Sequence, residues 1–506
     1  MPDATTIPIV ARGHQHSGRT AIVDSLGTYT YNDLREASAR VAAALLDGRD
    51  DLREERVAFL VAPGFPWVAV QWGIWRAGGL AVPLPLGSPR VELEYFVDDM
   101  QATELVYDNA GEKVLSPLIA SRDVRAYLYD DMLMRETVSL PAVMSDRRAM
   151  ILYTSGTTSR PKGVVTTHAA ITAQITSLID AWKWSPDDRI VLCLPLHHVH
   201  GIINVVSCAL WAGAVCEMLP RFDANAIWER MAAGEMTLFM AVPTIYVRLI
   251  AAWEESHPER RTMLSQSAAK LRLMVSGSAA LPVSTLERWR AITGHTLLER
   301  YGMTEIGMAL SNSYRGDRVP GSVGRPLPGV EVRLANERGE DITPGTPGEI
   351  EVRGASVFSE YWGKPDATRG AFRHGWFRTG DTAVVEHGVY RILGRTNVDI
   401  LKTGGHKVSA LEIEETLREH PAVDECAVVG VPDEEWGERV AAALVLREGS
   451  ALDLDELRAW AKQRLAAHKV PSRLLLLEAL PRNAMGKVTK PAVQALFAGR
   501  ESAVEG

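Results

Sequence analysis

The sequence predicts an α/β fold, with a large N-terminal domain of layered α/β subdomains plus a β-rich subdomain, followed by a small α+β C-terminal domain. Two observations predict it. Between residues 56 and 280, short β-branched runs recur and helical stretches lie between most of them. After about residue 318, closely spaced Gly and Pro separate short alternating strands. The first pattern is typical of mostly parallel strands covered by helices, and the second of a β-rich segment.

The α/β part contains both kinds of element. Helices are predicted over Phe65–Gly79 and over Ala169–Lys183, where Ile171, Ile175, Leu178 and Ile179 fall on one face. The predicted strands are RVAFLVA (56–62), TELVYD (103–108), AMILYTSG (149–156), RIVLCLPL (189–196), TLFMAVP (237–243) and LRLMVSG (271–277).

The remainder of the chain divides at about residue 395. Before it, VEVRLA, GEIEVRG and GVYRILGR are short strands of the β-rich segment. After it, predicted helices over Ala410–His420 and Leu454–Ala466 mix with the strands ECAVVGV, VAAALVL and RLLLLEAL. We therefore place the domains at residues 1–394 and 395–506.

Composition limits the function. The chain has 506 residues, 46% of them hydrophobic, and a net charge of -8, with basic residues scattered among acidic ones. Nucleic acid is therefore excluded as a main partner. The longest apolar run, residues 202–215, is shorter than the roughly 20 residues of a membrane span, so no membrane partner is expected.

Compartment and oligomeric state are less well defined by the sequence. Four cysteines in apolar surroundings form no CxxC pair and indicate a reducing compartment. The N-terminus lacks the apolar stretch of a secretory signal, so a cytoplasmic location is expected, with a transit peptide not strictly excluded. A monomer and a homodimer stay open.

The strongest local signal is the segment from Tyr153 to Gly163, YTSGTTSRPKG, which follows an apolar strand. Its hydroxyls and backbone N–H groups can face phosphate oxygens, and Lys162 adds a cation. The candidates for phosphate contact are Thr154, Ser155, Gly156, Thr157, Thr158 and Lys162. It has no Walker spacing, which excludes a P-loop NTPase, and the alternative for any such cluster is a polar surface turn.

Further motifs follow along the chain. A stacking aromatic, a hydroxyl and a hard carboxylate suit Mg-ATP, and an ionised carboxylate suits two ribose hydroxyls as an acceptor. The motifs are LPLHHVHG (194–201), GSAAL (277–281), RYGMTE (300–305), GWFRTGD (375–381), YRILGR (390–395), KTGGHKV (402–408) and PRNAMGK (481–487).

Together and in this order, the motifs resemble those of the adenylate-forming superfamily, which includes acyl-CoA synthetases, luciferases and adenylation domains. The resemblance covers nearly the whole chain and departs mildly at Ser159, where the usual residue is Gly. It implies an enzyme that activates a carboxylic acid with ATP and Mg²⁺ and passes the acyl group to coenzyme A.

The resemblance implies a role for each site residue. His198 lines the acyl pocket, and Lys487 reaches the ATP site during adenylation. Thr304 meets the α-phosphate, and Glu305 and Thr154 are the metal ligands. The nucleotide contacts implied are Gly277, Ser278 and Ala279 near adenine, Tyr301, Gly302 and Met303 around the stacked base, and Asp381 and Arg395 at the ribose.

A mobile C-terminal domain is also implied. It would rotate about Asn397, where relatives usually carry Asp or Lys, and bring Gly404 and Gly405 to the pantetheine tunnel. Isolated, Lys487 is a solvated surface charge and Thr-Gly-Asp is an ordinary turn; the shared order of motifs favours the functional interpretation.

Within the superfamily, residues 298–308, 317–324 and 403–412 look most like malonyl-CoA synthetases. The substrate expected is therefore a small dicarboxylate, most simply malonate or methylmalonate, with Arg300, Arg248 and His200 as candidate contacts. Arg300 is ranked first, because relatives that take fatty or aromatic acids usually have a small or neutral residue there. The alternative for either arginine is a structural salt bridge, for instance with Glu299 or Glu305.

Three other functions remain as alternatives. One is a short-chain or other acyl-CoA synthetase, and a second is an adenylation enzyme that loads a carrier protein. The third is a catalytically dead binder of nucleotide or acyl ligand, which the joint presence of Lys162, Glu305, Asp381, Arg395 and Lys487 disfavours.

Overall fold

The structure, a computed structural model, describes residues 7–154, 160–396, 398–403, 406–433, 436–482 and 488–501. The chain divides into two compact units. The first contains Met1–Val332 and Val352–Phe377, and the second contains Arg333–Glu351 and Arg378–Gly506. Residues 333–351 and 378–394, predicted to belong with the N-terminal domain, therefore lie in the second unit. A functional boundary at residue 395 stays a prediction.

The first unit is built on two large sheets. The nine-stranded sheet is parallel over its six central strands and antiparallel at its edges. Its strands, in spatial order, are Arg325–Pro326, Gly307–Ser311, Leu298–Met303, Leu273–Ser276, Leu238–Ala241, Arg189–Leu192, Val215–Met218, Thr20–Val23 and Thr28–Thr30.

The seven-stranded sheet is also mainly parallel, and two strands at one of its edges pair antiparallel. Its strands, in order, are Glu360–Tyr361, Lys162–Thr167, Arg148–Thr154, Leu80–Pro83, Arg56–Leu60, Glu104–Tyr107 and Arg125–Leu128. The predicted strands and the mostly parallel α/β arrangement are thereby confirmed.

Helices connect these strands. The first unit contains Pro8–His14, Tyr31–Leu46, Phe65–Arg76, Arg90–Met100, Asn109–Ala120, Tyr129–Met132, His168–Trp182, Cys208–Ala212, Ala224–Ala232, Pro243–Glu255, Pro258–Ala268, Val283–Thr293 and Pro365–Ala371. In His168–Trp182, the side chain of Thr167 accepts a hydrogen bond from Ala170 N and starts the helix. Ile171, Ile175 and Leu178 of the predicted apolar face are buried, whereas Ile179 at its margin is half-buried.

The apolar run at residues 202–215 lies in the core. It begins as a π-helix, His200–Ser207, and continues as the short helix Cys208–Ala212. Single turns of π-helix are rare and frequent at functional sites. Among the described residues, the helices are too short or too polar to cross a bilayer.

A third sheet is formed by the β-rich segment. Its strands, in order, are Val330–Ala335, Gly348–Gly354, Trp376–Glu386 and Phe372–Arg373, and Val389–Arg395 pairs with Trp376–Glu386.

The second unit has a five-stranded sheet of its own. The strands, in order, are His406–Ser409, Ile400–Thr403, Gly437–Leu446 and Val423–Asp433, with Arg473–Leu476 beside Gly437–Leu446. Its helices are Ala410–Arg418, Leu454–Ala461, the 3₁₀ turn Ala467–Lys469 and Lys490–Glu501. Apolar clusters on the two sides of this sheet form the core of the unit. The predicted α+β character of this region is confirmed.

All four cysteines, Cys193, Cys208, Cys216 and Cys426, are buried and unpaired. Burial raises the pKa of Cys193 and of Cys426 to about 12, so these thiols stay protonated and unreactive at neutral pH.

Candidate active site

The predicted phosphate loop connects two strands of the seven-stranded sheet. Arg148–Thr154 pairs antiparallel with Lys162–Thr167, and Thr154 lies directly opposite Lys162. The loop residues Ser155, Gly156, Thr157 and Thr158 lie outside the described residues. The pairing therefore brings the two ends of the loop together, so that the residue with a hydroxyl, Thr154, is opposite the residue with an ammonium group, Lys162.

Tyrosine hydroxyls hold the base of this loop. Tyr153 donates a hydrogen bond to Asp99 Oδ2 at 2.9 Å, and Tyr95 donates to the backbone oxygen of Pro161 at 2.7 Å. Lys364 Nζ lies 2.9 Å from Asp99 Oδ1. Because these contacts come from outside the loop, they fix its ends independently of any ligand.

The RYGMTE motif forms the end of a strand and a tight turn. Leu298–Met303 pairs antiparallel with Gly307–Ser311, so Thr304, Glu305 and Ile306 make the turn between them. At Gly302 a Cβ atom would lie 2.1 Å from the backbone oxygen of Gly307, which only glycine avoids. Tyr301, Met303 and Thr304 are half-buried beside it.

Arg300, on the same strand, is buried, with 3% of its surface exposed. Its guanidinium lies over Gly277, where a Cβ atom would approach the Arg300 Cζ to 2.5 Å. Within the described parts of the chain, its Nε atom has no hydrogen-bond partner and no carboxylate pairs with the guanidinium. Burial without a counter-charge lowers the pKa of Arg300 to about 9. The structural salt bridge with Glu299 or Glu305 is therefore absent.

Ser278 connects Arg300 to His200. Arg300 Nη2 donates a hydrogen bond to Ser278 Oγ at 3.2 Å, and Ser278 Oγ lies 3.2 Å from His200 Nδ1. Ser278 has a φ of 69°, a strained value for a residue other than glycine and one that is characteristic of functional sites. Ala279 follows it and is exposed.

His200 contacts Ser278 through one of its two ring nitrogens. Burial, together with the charges of Arg300 and His198, lowers the pKa of His200 well below its ordinary value, so the ring is neutral. Because Arg300 can only donate, Ser278 Oγ accepts from it and shares a further hydrogen bond with His200 Nδ1. The other ring nitrogen, Nε2, is buried and has no hydrogen-bond partner among the described residues.

His198, predicted in the acyl pocket, lies two residues before His200. It is half-buried, and its ring is 4.1 Å from that of His197. Burial, followed by the charge of His198, lowers the pKa of His197 to about 3. The His197 ring is therefore neutral at physiological pH, and both histidines lie just before the π-helix His200–Ser207 in the chain.

Arg248, the second candidate for substrate contact, has a different environment. It is exposed on the helix Pro243–Glu255, and its guanidinium lies 6.0 Å from the ring of Phe222. The structure does not give it the buried setting of Arg300, which an arginine selective for a carboxylate needs.

Glu305 is buried and is held by a residue that the motifs did not identify. Tyr361 donates a hydrogen bond to Glu305 Oε1 at 3.0 Å, and the Lys162 ammonium lies 5.1 Å from the centre of the Tyr361 ring. Phe358 N donates to the backbone oxygen of Glu305 at 2.7 Å. Lys162 and Glu305, two predicted ATP-site residues, thus share a neighbour.

In the second unit, Asp381 and Arg395 lie opposite each other on paired strands. Arg395 Nε is 3.0 Å from Asp381 Oδ1, and Arg395 Nη1 donates to the backbone oxygen of Thr379 at 2.9 Å. The structure therefore brings the two predicted ribose contacts together.

Four predicted residues, Asn397, Gly404, Gly405 and Lys487, lie outside the described residues. Residues on either side of these positions are described, and Thr403 pairs with His406. Arg395 N donates to Asp399 Oδ2 at 2.9 Å on the far side of Asn397.

A buried ion cluster that sequence reasoning missed lies next to this segment. Lys490 Nζ is 2.5 Å from Asp399 Oδ1 and 2.7 Å from Glu414 Oε1. Arg418 Nη2 donates to Glu414 Oε2 at 3.1 Å and balances the second negative charge. Burial lowers the pKa of Lys490, but the attraction of Glu414 and Asp399 outweighs it and raises the pKa above its ordinary value. The contribution of the cluster to stability is present at neutral pH and is lost as the pH rises through that raised pKa.

We expect Lys490→Met to lower the free energy of unfolding by about 3 to 5 kcal/mol, because it leaves the buried Asp399 without its lysine and Glu414 with Arg418 alone. Urea unfolding at pH 7 measures it. Lys469→Met is the matched control, since Lys469 Nζ pairs with the more exposed Glu412 at 2.6 Å and its loss should cost about 1 kcal/mol or less. Equal effects of the two substitutions would contradict the special role of the buried cluster.

Comparison with known proteins agrees with the geometry. The family model described as "AMP-binding enzyme" matches residues 10–362, and the "AMP-binding enzyme C-terminal domain" matches residues 412–487. The chain is 46% identical to the malonate–CoA ligase ACSF3, mitochondrial, of Mus musculus over 97% of this chain and 91% of that protein, and 46% identical to its Homo sapiens counterpart over 96% and 91%. The crystal structure of ATP-bound MatB from Rhodopseudomonas palustris is similar with a TM-score of 0.88 at 34% identity, covering 97% of this chain and 99% of that one.

The cytoplasmic location expected from the sequence is wrong, since these ACSF3 relatives are named mitochondrial. The expectation rested on the lack of an apolar secretory segment. Transit peptides for mitochondria are amphipathic and rich in Arg and Ser, so the lack of an apolar stretch does not test for one.

Proposed function

Because the chain belongs to the AMP-binding enzyme family, we propose that it is an ATP-dependent malonate–CoA ligase, which forms malonyl-CoA, AMP and pyrophosphate through an acyl-adenylate. The resemblance of the motifs to malonyl-CoA synthetases and the ligases at 46% identity support the same activity. ATP, Mg²⁺ and coenzyme A are the cofactors of this reaction.

The observation that supports malonate is a pair of buried polar atoms that have no partner in the described part of the chain. They are Arg300 Nε–H and His200 Nε2, which is a donor when the neutral ring carries its proton there, and both groups contact Ser278. An acid with one carboxylate, such as butyrate, would leave these donors unsatisfied, which is costly in a buried site. The second carboxylate of malonate supplies the acceptors and the negative charge.

In the first half-reaction an oxygen of the other malonate carboxylate attacks the α-phosphorus of ATP, and the bond to pyrophosphate breaks. No protein nucleophile is needed. Thr304, Lys162 and Lys487 would stabilise the charge that develops on the phosphate oxygens, as preorganised donors do in phosphoryl transfer. Tyr301 would stack on adenine, and Asp381 would accept hydrogen bonds from the ribose.

The metal fits the groups present. Mg²⁺ is usually held by one or two carboxylates together with substrate phosphates, and Glu305 offers a buried carboxylate while Thr154 offers a hydroxyl. No group of three or more His, Cys, Asp or Glu side chains gathers within the described residues, so an all-protein metal cage does not compete with this assignment. When bound, Mg²⁺ neutralises charge on the leaving pyrophosphate.

In the second half-reaction the thiolate of coenzyme A attacks the acyl carbon, and the bond to AMP breaks. We propose that the segment after Asn397 rotates between the two steps, so that Lys487 withdraws and Gly404 and Gly405 line the path of pantetheine. Glycines suit this task because they let a thin ligand approach the backbone closely.

The test is ATP–pyrophosphate exchange with a panel of malonate, methylmalonate, succinate, butyrate and benzoate, followed by thioester detection with coenzyme A. We expect exchange with malonate to exceed that with butyrate by at least the thirtyfold or so that one charge-assisted pair provides. If exchange occurred but no thioester formed with coenzyme A, and a thioester did form with a pantetheinyl carrier protein, the carrier-loading alternative would be favoured. Equal exchange with butyrate would contradict the dicarboxylate specificity.

A further inference from the structure

Tyr361 occupies a fixed position between two groups of the ATP site. It lies on the strand Glu360–Tyr361, opposite Val164 of the neighbouring strand, and 8% of its surface is exposed. Its backbone N–H donates to Thr368 Oγ1 at 3.0 Å, and its ring is 4.7 Å from that of Phe358. With the backbone and the ring both held, the hydroxyl has a defined direction before any ligand binds.

The ring and the hydroxyl of Tyr361 contact groups of opposite charge. The ring centre is 5.1 Å from Lys162 Nζ, a distance at which a cation is attracted to an aromatic face. The hydroxyl donates to Glu305 Oε1 at 3.0 Å, which orients the carboxylate. The same side chain therefore orders a predicted phosphate ligand and a predicted metal ligand.

Separation of these two groups has a physical consequence. An ammonium and a carboxylate that are free to meet form an ion pair, and that pair would occupy both the phosphate-binding cation and the metal-binding oxygen. In the part of the chain that the structure describes, Lys162 forms no ion pair with a carboxylate. Contact with the Tyr361 ring gives the ammonium a favourable position away from Glu305.

We propose that Tyr361 is a positioning residue for Mg-ATP, which holds Glu305 oriented toward the metal and keeps Lys162 from pairing with it. The proposal rests on the proposed function, because it assigns Glu305 and Lys162 to metal and phosphate. It predicts a specific loss: without the hydroxyl, Glu305 is less well oriented and the metal contributes less to nucleotide binding; without the ring, Lys162 is also misplaced.

Calorimetric titration with ATP, in the absence of any acid substrate, tests this. Affinity is measured once in EDTA and once in excess Mg²⁺, and the ratio of the two Kd values is the gain due to the metal. We expect Tyr361→Phe to reduce this gain about tenfold, the usual loss of one hydrogen bond to a charged group, and to leave ATP affinity in EDTA within twofold of wild type. Tyr361→Leu should weaken ATP binding in EDTA as well, by about fivefold.

Tyr246→Phe is the matched control. Tyr246 is also buried and its hydroxyl also donates one hydrogen bond, to the backbone oxygen of Val275 at 2.9 Å, but it contacts neither Lys162 nor Glu305. We expect it to change neither Kd. A Tyr361→Phe enzyme with the full metal gain, or one that loses affinity equally in EDTA and in Mg²⁺, would overturn the proposal.

The outcome is independent of the acid that the enzyme activates. If the acid were not malonate, the pyrophosphate exchange panel would show it while the metal gain still depended on Tyr361. If Tyr361 had no such role, the metal gain would be unchanged while malonate was still activated.

Discussion

Replacement of Arg300 by methionine should lower kcat/KM for malonate by about thirty- to a thousandfold, the equivalent of about 2 to 4 kcal/mol for a charged pair in a desolvated pocket. Methionine keeps a long side chain over Gly277 but removes the charge and the unpartnered Nε–H. Butyrate, which has no second carboxylate, should be used about as well as by wild type or better. Steady-state rates with both acids measure the change in preference.

A control variant and a control measurement accompany this prediction. Arg248→Met removes an exposed arginine, and we expect malonate activity within about twofold of wild type, as for surface substitutions in general. The KM for ATP should be unchanged in Arg300→Met. An Arg300→Met enzyme that lost malonate and butyrate in parallel would show that Arg300 supports the nucleotide site and does not select the acid.

Arg300 and Arg248 differ in whether the burial of their side chains could be predicted from the sequence. Arg248 lies on the helix Pro243–Glu255, where Ile245, Tyr246 and Leu249 are buried at helical spacing. That spacing leaves Arg248 outside the buried stripe, at its margin, so exposure of its long charged side chain could have been predicted. The burial of Arg300 against Gly277 could not, because it depends on the pairing of the strand Leu298–Met303 with Leu273–Ser276 and not on a local pattern.

Local elements were the most predictable part of the fold. Strands such as Arg56–Leu60 and Glu104–Tyr107, and the helix His168–Trp182, lie within a few residues of their predicted bounds, because apolar periodicity is a local signal. The division into units could not be predicted from local sequence patterns. Residues 333–351 join the second unit by long-range contact, and a pattern of Gly and Pro carries no information on the partner of a strand.

The same distinction applies to the site. The phosphate loop, the RYGMTE turn and the Asp381–Arg395 pair were predicted from residue types in a recognisable order. Tyr361 and Lys490 were missed, because Tyr361 contacts a carboxylate 56 residues away and Lys490 bonds to residues of other elements. A tyrosine in a short strand and a lysine at the start of a helix are ordinary in isolation, so only the folded chain reveals their partners.

The last prediction concerns the change between the two half-reactions. We expect Lys487→Ala to reduce adenylation, measured as ATP–pyrophosphate exchange with malonate, by a hundredfold or more, because it removes a cation aimed at charge that develops in the transition state. Formation of malonyl-CoA from freshly prepared malonyl-adenylate should stay within about threefold of wild type, since the lysine has no role once pyrophosphate has left and would be withdrawn by the rotation.

Lys469→Ala is the control for this pair of assays. Lys469 belongs to the same unit and pairs with Glu412 at 2.6 Å, so its loss removes a charge from the C-terminal part of the chain without touching the proposed chemistry. Both half-reactions should be unaffected. If Lys487→Ala slowed both half-reactions equally while Lys469→Ala slowed neither, Lys487 would act in a single arrangement of the enzyme, and the proposed rotation about Asn397 would have no support from this residue.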